Sequence, residues 1–210
     1  MGPFESLYRS KLTSSETAVS AIASGERVAM AMAIGQPPAL LKALADRVQA
    51  GELEDLPLYY FESKQHAADT VLRYELLDRV RPHCMFLSEI ERRLILRGEA
   101  EGRKLVDFVP VAFSQSSAML SDQIGIDTFI TAVSPMDRRG YFTFGTNNDY
   151  ASTVARAAKR LVVEVNPRMP RVFGDSLLHV SEVHAVVEHD APLLEVPFRL
   201  PSATDQMIAA

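Results

Sequence analysis

The strongest constraint on the fold is the stretch RVAMAMAIGQPPALLKALADRVQAG at residues 27–51. It holds seven consecutive apolar residues, Val28 to Ile34, which is typical of a strand buried on both faces of a sheet. Two prolines then stand where a helix can begin, apolar residues recur at helical spacing, and Gly51 is a C-terminal stop signal. A buried strand, a short turn and a helix form the first half of a βαβ unit, which predicts a parallel sheet.

The same alternation continues along the chain. Further strands are predicted at 56–63, 83–87, 104–113, 126–133, 161–165 and 184–189. Helices are predicted at 67–80, 88–98, 117–123 and 149–160, after a polar opening with one or two short helices. We find no repeat, low-complexity tract or linker. The expected fold is a single α/β domain with an open, mainly parallel sheet and helices on both faces.

Composition excludes several function classes. The 210 residues are 47% hydrophobic, and the net charge of -5 comes from acidic and basic residues interleaved throughout. Such a chain has no extended positive field, so neither a nucleic acid nor an anionic membrane is an expected partner. No apolar run approaches the roughly 18 residues of a membrane span. One cysteine, Cys84, allows no intrachain disulfide and no cysteine zinc cluster, so we expect a cytoplasmic protein.

Candidate binding residues lie at the predicted strand ends, where open α/β sheets bind their ligands. The first end, AIGQPP, places Gly35 before a helix N-terminus, as in an ordinary tight turn or an anion site. Glu62 and Ser63 end the second strand, where a catalytic carboxylate or hydroxyl would stand. The loop GTNND, from Gly145, either binds an anion through its amides or caps a helix with its asparagines. GxGxxG, GxxxxGK and GxSxG do not occur in the sequence.

Two further groups favour structural roles. His179, His184 and His189 are five residues apart, so in extended chain they would alternate between faces, and no known metal-ligand spacing occurs. We therefore predict no metal site. The pairs Arg138-Arg139 and Arg168 with Arg171 are more typical of a solvated face than of a phosphate clamp.

Taken together, residues 15–200 resemble the N-terminal half of the acetyl-CoA hydrolase/transferase family, which includes the 4-hydroxybutyrate and acetate CoA-transferases and a subgroup acting on short diacids such as itaconate. The most specific pieces are the turn Ser134-Pro135-x-Asp137-x-x-Gly140 with Gly145, and Glu164-x-Asn166-x-x-Met169-Pro170 with Gly174. GERVAMAMAIGQPPALLKAL and FVPVAFSQ add to the resemblance.

The resemblance implies a two-domain enzyme with its active site between related α/β halves. A glutamate of the C-terminal half would attack an acyl-CoA thioester, and coenzyme A would be a substrate, with no other cofactor expected. No segment of this chain matches that nucleophile or its glycine-rich neighbour. By position, the substrate-binding residues of this half would be Gly35, Gln36, Ser63, Gly145 and Asn147, forming one wall of the acyl pocket for a short carboxylic acid.

The chain ends in LPSATDQMIAA, where Ser202 and Asp205 predict the start of a helix. We expect residues 1–200 to be an N-terminal CoA-transferase domain and residues 201–210 to start a linker helix to an absent C-terminal half. We also expect a homo-oligomer. Two other readings stay open: a stand-alone domain that binds a small acid or coenzyme A, or serves structurally, without catalysis, and an independent enzyme with Glu62 as its nucleophile.

Overall fold

A seven-stranded parallel sheet organises the computed structural model, which describes residues 3–195 and 200–209. The strands of the chain are β1 Val28–Met30, β2 Leu56–Tyr60, β3 Val80–Cys84, β4 Asp107–Phe108, β5 Thr128–Val133, β6 Tyr141–Thr143, β7 Arg160–Val165, β8 Leu177–His179 and β9 Ala185–Glu188. In the main sheet they lie in the order β4-β3-β2-β1-β5-β7-β9, and all neighbours are parallel.

Helices cover both faces of this sheet. They are α1 Glu5–Lys11, α2 Ser15–Ser20, α3 Pro38–Gln49, α4 Gln65–Ala68, α5 Glu89–Ala100, α6 Ser116–Ala118, α7 Ala151–Ala157 and α8 Ala203–Ala209. A π-helix, Met119–Ile124, continues α6. Short 3-10 turns occur at Ala33–Gly35, Tyr74–Leu76, Phe113–Gln115 and Val180–Glu182.

Successive side chains of β1 enter two different cores. Val28 and Met30 pack with α2, α3 and α4, whereas Ala29 and Ala31 pack with the π-helix and α7 on the other face. Alternate strand residues point to opposite faces, so a sheet covered on both sides requires the unbroken apolar run seen in the sequence. The predicted α/β class, the parallel sheet and the helices on both faces are confirmed.

One predicted strand is shorter than expected, and one predicted helix was wrong. The first strand ends at Met30, because Ala33–Gly35 turn into a 3-10 helix with Ala33 at φ 49°. The helix predicted at 67–80 is replaced by the single turn α4, and Val80 already begins β3. Thr70 donates its hydroxyl hydrogen to the carbonyl oxygen of His66 (2.5 Å), a local bond that competes with continuation of the helix.

Other differences affect the edges of the fold. The strand predicted at 104–113 pairs only at Asp107–Phe108, because Pro110 has no amide hydrogen for the ladder. The pattern did not predict β8, which pairs antiparallel with β6 to form a separate two-stranded sheet. Among the residues described, no helix has both the length and the apolar character needed to cross a bilayer.

The predicted helix start near the C-terminus is present as α8. Ser202 and Asp205 form a reciprocal cap, in which the Ser202 amide donates to Asp205 Oδ2 (2.8 Å) and the Asp205 amide donates to Ser202 Oγ (3.2 Å). Every residue of α8 whose burial is described is exposed. That this helix links to a second domain stays a prediction.

Candidate functional site

The sheet order places a topological switch between β1 and β5. From β1 the chain proceeds through β2, β3 and β4 to one edge, and it then returns to β5 on the other side of β1. Ligands of open α/β sheets bind beyond the carboxyl ends of the strands at such a point. The turn that follows β1, Met32–Gln36, lies at this position and contains two of the predicted residues.

Backbone strain marks this turn. Ala33 has φ 49°, a left-handed conformation that disfavours residues with a Cβ by about 1–2 kcal/mol. The Ala33 amide donates to the carbonyl oxygen of Glu62 (3.2 Å), at the end of the neighbouring β2. A conformation of this cost persists only where surrounding contacts determine it.

Gln36 supplies one such contact. Its side chain is 1% exposed, its Nε2 donates to the carbonyl oxygen of Glu62 (2.9 Å), and its Oε1 accepts the amide hydrogen of Lys64 (3.0 Å). Both polar ends of the side chain therefore join the turn after β1 to the segment after β2. Gln36 was predicted to bind substrate, but both polar groups of its side chain form hydrogen bonds with the protein backbone.

Asn147 supports the turn from the other side. Its Nδ2 donates to the carbonyl oxygen of Met32, and the side chain is 3% exposed. A Cβ added to Gly35 would lie 2.7 Å from Asn147 Cγ, so glycine at this position permits the close approach. The structure thus brings Gly35, Gln36 and Asn147 together around one turn.

The loop before α7 differs from one of the two alternatives drawn from its sequence, that its asparagines cap the helix, and anion binding by its amides stays a prediction. Neither asparagine caps the helix through its side chain: Asp149 Oδ1 accepts the amide hydrogens of Tyr150 (2.6 Å) and Ala151 (3.2 Å). Gly145 has φ 62°, and a Cβ there would overlap the side chain of Met169. The close contact between Gly145 and Met169 therefore connects the two motifs on which the family resemblance depends.

Ser63 lies at the end of β2 with 1% exposure, and its hydroxyl donates to Glu91 in the first turn of α5. Its neighbours Glu62 and Lys64 form an ion pair and line a groove of about 650 Å³. Ile34 and Phe86 also line this groove, so it runs from the strained turn to the end of β3.

Aromatic side chains cluster at the same edge of the sheet. The Phe61 ring lies 4.7 Å from that of Phe113 in an edge-to-face arrangement and 6.0 Å from that of Phe86 in a stacked one. Phe86 and Phe113 are 49% and 51% exposed. We define Phe61, Phe86 and Phe113 as the aromatic cluster, an apolar surface that the sequence analysis missed because its members come from three separate loops.

A buried carboxylate lies beneath the start of α3. Glu164 of β7 is fully buried, and its Oε2 accepts the amide hydrogen of Leu40 (3.0 Å) at the start of α3. Oε1 has no hydrogen-bond partner in the described parts of the chain. Burial raises the pKa of Glu164 to about 7, against an ordinary value of 4.5. The residue belongs to a motif of the resemblance, but its place beneath α3 follows only from the sheet register.

The histidines and arginines discussed in the sequence analysis each contact different residues. His179 packs against Phe4 (4.7 Å between ring centroids), and His184 Nδ1 accepts the amide hydrogen of Leu161 (3.0 Å). Arg168 pairs with Asp190 (2.6 Å) and Arg171 with Asp137 (2.7 Å). No group of three potential metal ligands occurs within residues 3–195 and 200–209.

Known relatives give this arrangement its context. Residues 3–197 match the acetyl-CoA hydrolase/transferase N-terminal domain. The chain is 32% identical to the succinyl-CoA:cyclohexane-1-carboxylate CoA transferase of Geobacter metallireducens and 31% identical to the 4-hydroxybutyrate coenzyme A transferase of Clostridium kluyveri. These matches cover 90% and 92% of this chain and 41% and 43% of those proteins. The chain therefore spans about two fifths of the length of these relatives.

Solved structures agree with this relationship. RipA from Yersinia pestis superposes with a TM-score of 0.93 at 51% identity, over 95% of this chain and 47% of that one. The 4-hydroxybutyrate CoA-transferase of Porphyromonas gingivalis shares the fold, with a TM-score of 0.71 at 24% identity, over 96% of this chain and 44% of that one. The family match, the sequence identities and the fold agree, and the chain belongs to the acetyl-CoA hydrolase/transferase family, of which it is the N-terminal domain.

Proposed function

We propose that this chain is the N-terminal domain of an acyl-CoA:carboxylate CoA-transferase and that it forms one wall of the acyl pocket. The observation that carries the proposal is the strained turn after β1, which is held by Gln36 and Asn147 at the topological switch and opens onto the groove. The relatives that are CoA-transferases support the reaction class, and the groove and the aromatic cluster support an acyl group as the occupant.

In this proposal the predicted substrate-binding residues support the wall of the pocket and do not contact the substrate directly. Gly35, Gln36, Ser63, Gly145 and Asn147 are all buried, so they shape the wall that the substrate meets. Met32 and Ile34 of the turn are partly exposed and are the side chains available for contact. The aromatic cluster continues the apolar surface, which would exclude water from the reacting acyl group.

The chemistry proceeds through a glutamate carboxylate of the C-terminal half. That carboxylate attacks the donor thioester, forming an acyl-glutamyl anhydride and releasing the CoA thiolate. The thiolate attacks the glutamyl carbonyl of the anhydride, which forms glutamyl-CoA and releases the donor acid as its carboxylate. The acceptor carboxylate then attacks glutamyl-CoA, and the thiolate released attacks the acceptor acyl carbonyl, which restores the glutamate and yields the new thioester.

This chain contributes to those steps by orienting the acyl group. A rigid wall holds the donor or acceptor acid close to the nucleophile, and such positioning lowers the barrier without any group of this half reacting. Contacts to the distant part of coenzyme A assist only where they improve in the transition state.

The test is complementation by a C-terminal half. The purified 210-residue chain is assayed for CoA transfer from acetyl-CoA or succinyl-CoA to acetate, butyrate and itaconate, both alone and mixed with the C-terminal half of RipA. A covalent fusion of the two halves serves as a second form in case the separate halves do not associate. We expect transfer only when both halves are present.

The outcome of this assay distinguishes the proposed CoA-transferase domain from a stand-alone binding domain and from an independent enzyme. No transfer by either the mixture or the fusion would contradict the proposal and favour a stand-alone binding domain. Transfer by the chain alone would place a nucleophile in this half, and its loss in Glu62→Gln would identify that nucleophile.

A further inference from the structure

Glu91 is a fully buried carboxylate that the proposed mechanism does not use. It lies in the first turn of α5 and accepts three hydrogen bonds. Two come from Ser88, from its amide (2.9 Å) and from its hydroxyl (2.5 Å), and the third comes from the hydroxyl of Ser63. A buried carboxylate without such donors would cost several kcal/mol, so the three bonds define a specific site for this side chain.

The contact with Ser63 exceeds what helix capping requires. A capping box is complete when the N-cap residue and the third helical residue bond each other, as Ser88 and Glu91 do. The second carboxylate oxygen of Glu91 reaches 28 residues back along the chain to the end of β2. The same side chain therefore starts α5 and ties that helix to the segment that lines the groove.

That segment, residues 61–64, is held on two other sides as well. Phe61 belongs to the aromatic cluster, and the backbone groups of Glu62 and Lys64 are bonded to Gln36. Ser63 is the one residue of the segment whose side chain bonds to α5. The bond to Glu91 therefore joins the segment directly to α5, and residues of both line the groove.

We propose that Glu91 is a positioning residue that holds residues 61–64 against the N-terminus of α5 and thereby sets the acid selectivity of the groove. The inference rests on the proposed function for its effect on selectivity. Its structural part, the placement of the segment, can be measured on the 210-residue chain by itself.

The first measurement is hydrogen–deuterium exchange of the full chain, followed by mass spectrometry of the peptides that cover residues 61–66 and β1. Glu91→Gln keeps the size of the side chain, removes its charge and places an amide NH2, which cannot accept the Ser63 hydroxyl hydrogen, where Oε1 stands. Glu99→Gln, an exposed position in the last turn of α5, is the matched control. We expect exchange of residues 61–66 to be about tenfold faster in Glu91→Gln, with unchanged exchange in β1 and no change in Glu99→Gln.

Ser63→Ala provides a second variant in case Glu91→Gln weakens α5 as a whole. It removes the Ser63 hydroxyl, which donates the bond to Glu91, and leaves the capping box of Ser88 and Glu91 intact. Faster exchange of residues 61–66 in this variant, without a change in α5, would separate positioning of the segment from stability of the helix. Unchanged exchange of that segment in both variants would overturn the inference.

The second measurement is kinetic, on the two-domain fusion. We expect Glu91→Gln and Ser63→Ala to change the ratio of kcat/KM between acetate, butyrate and itaconate by about tenfold, with the KM for the acyl-CoA donor unchanged. Equal losses for all acids would overturn the selectivity role. An inactive unsubstituted fusion would contradict the proposed function instead, and the exchange data would still decide whether Glu91 positions the segment.

Discussion

At the scale of single residues, Glu164 links stability to pH. Its pKa of about 7 in the folded chain lies above the ordinary 4.5, so folding favours the protonated form. This contribution to the free energy of unfolding is complete below pH 4.5 and is lost as pH rises through 7. The loss is at most about 3.5 kcal/mol, because one pKa unit corresponds to about 1.4 kcal/mol.

We therefore expect Glu164→Gln to remove a decrease in unfolding free energy between pH 5 and pH 8. Urea unfolding at both pH values measures it, with Glu99→Gln as the control for loss of one carboxylate. The difference between the two pH values is compared with that of the unsubstituted chain, because other groups titrate in the same range. An identical difference in Glu164→Gln would contradict the raised pKa.

Asn147 carries a second prediction at this scale. Asn147→Ala leaves the Met32 carbonyl oxygen without its side-chain donor and opens space beside Gly35. We expect a loss of about 0.5–1.5 kcal/mol in unfolding free energy, the net range for one hydrogen bond, because the Met32 carbonyl oxygen still accepts the amide hydrogen of Gly35 (3.0 Å). The exposed neighbour Asn148 is the control, with an expected change within about 0.5 kcal/mol on mutation to alanine. Equal effects at both positions would show that the bond to Met32 does not hold the turn.

At the scale of elements, α1 depends on its contacts with the rest of the fold. Its seven residues are too few for an isolated helix, and none of them is fully buried. Lys11 holds the C-terminal end of α1, because its Nζ donates to the carbonyl oxygens of Val180 (2.8 Å), Ser181 (3.2 Å) and Val183. Val180 and Ser181 belong to the 3-10 turn before β9, and Val183 follows that turn directly.

Lys11→Met retains the apolar stem of the side chain and removes the donors. We expect it to lower the unfolding free energy by about 1.5–3 kcal/mol, the range for a charged hydrogen-bonding group. Arg9→Met on the same helix breaks only an exposed pair with Glu5, so its expected effect is below about 1 kcal/mol. Chemical denaturation measures both variants, and equal losses would contradict the anchoring role of Lys11.

At the scale of the whole molecule, the exposed apolar surface predicts association. The rings of Phe86, Phe108 and Phe113 are each about half exposed near one edge of the sheet. Large contiguous apolar patches on a soluble domain mark interfaces. We expect the isolated chain to self-associate at micromolar concentration and Phe86→Ser with Phe113→Ser to weaken that association. Sedimentation velocity tests this, and a monomer over the whole concentration range would contradict it.

The class of the fold follows from patterns that are local in the sequence. The apolar run at β1, the alternation with helices and the stop signals depend on neighbours along the chain, and they predicted the parallel sheet. The family was expected from the resemblance of the Ser134–Gly140 and Glu164–Pro170 motifs, not from these patterns. The prediction was wrong where the helix preference of a segment competes with other hydrogen bonds. The helix predicted at 67–80 is replaced by a turn that contains the Thr70 hydroxyl bond, and Val80 already belongs to β3. The S-x-x-E spacing of Ser88 and Glu91 would have revealed the capping box but not its bond to Ser63.

The construction of the candidate site, in contrast, depends on contacts between segments that are distant in the sequence. Strand ends that are distant in sequence meet at one edge of a parallel sheet, which brought Gln36 to Glu62 and Asn147 to Met32. Sequence position predicted that such residues lie near a pocket, but burial and hydrogen-bond partners depend on strand order and register. Pairing between distant segments is set by packing of the whole core, whereas helix and strand preference is set within a few residues.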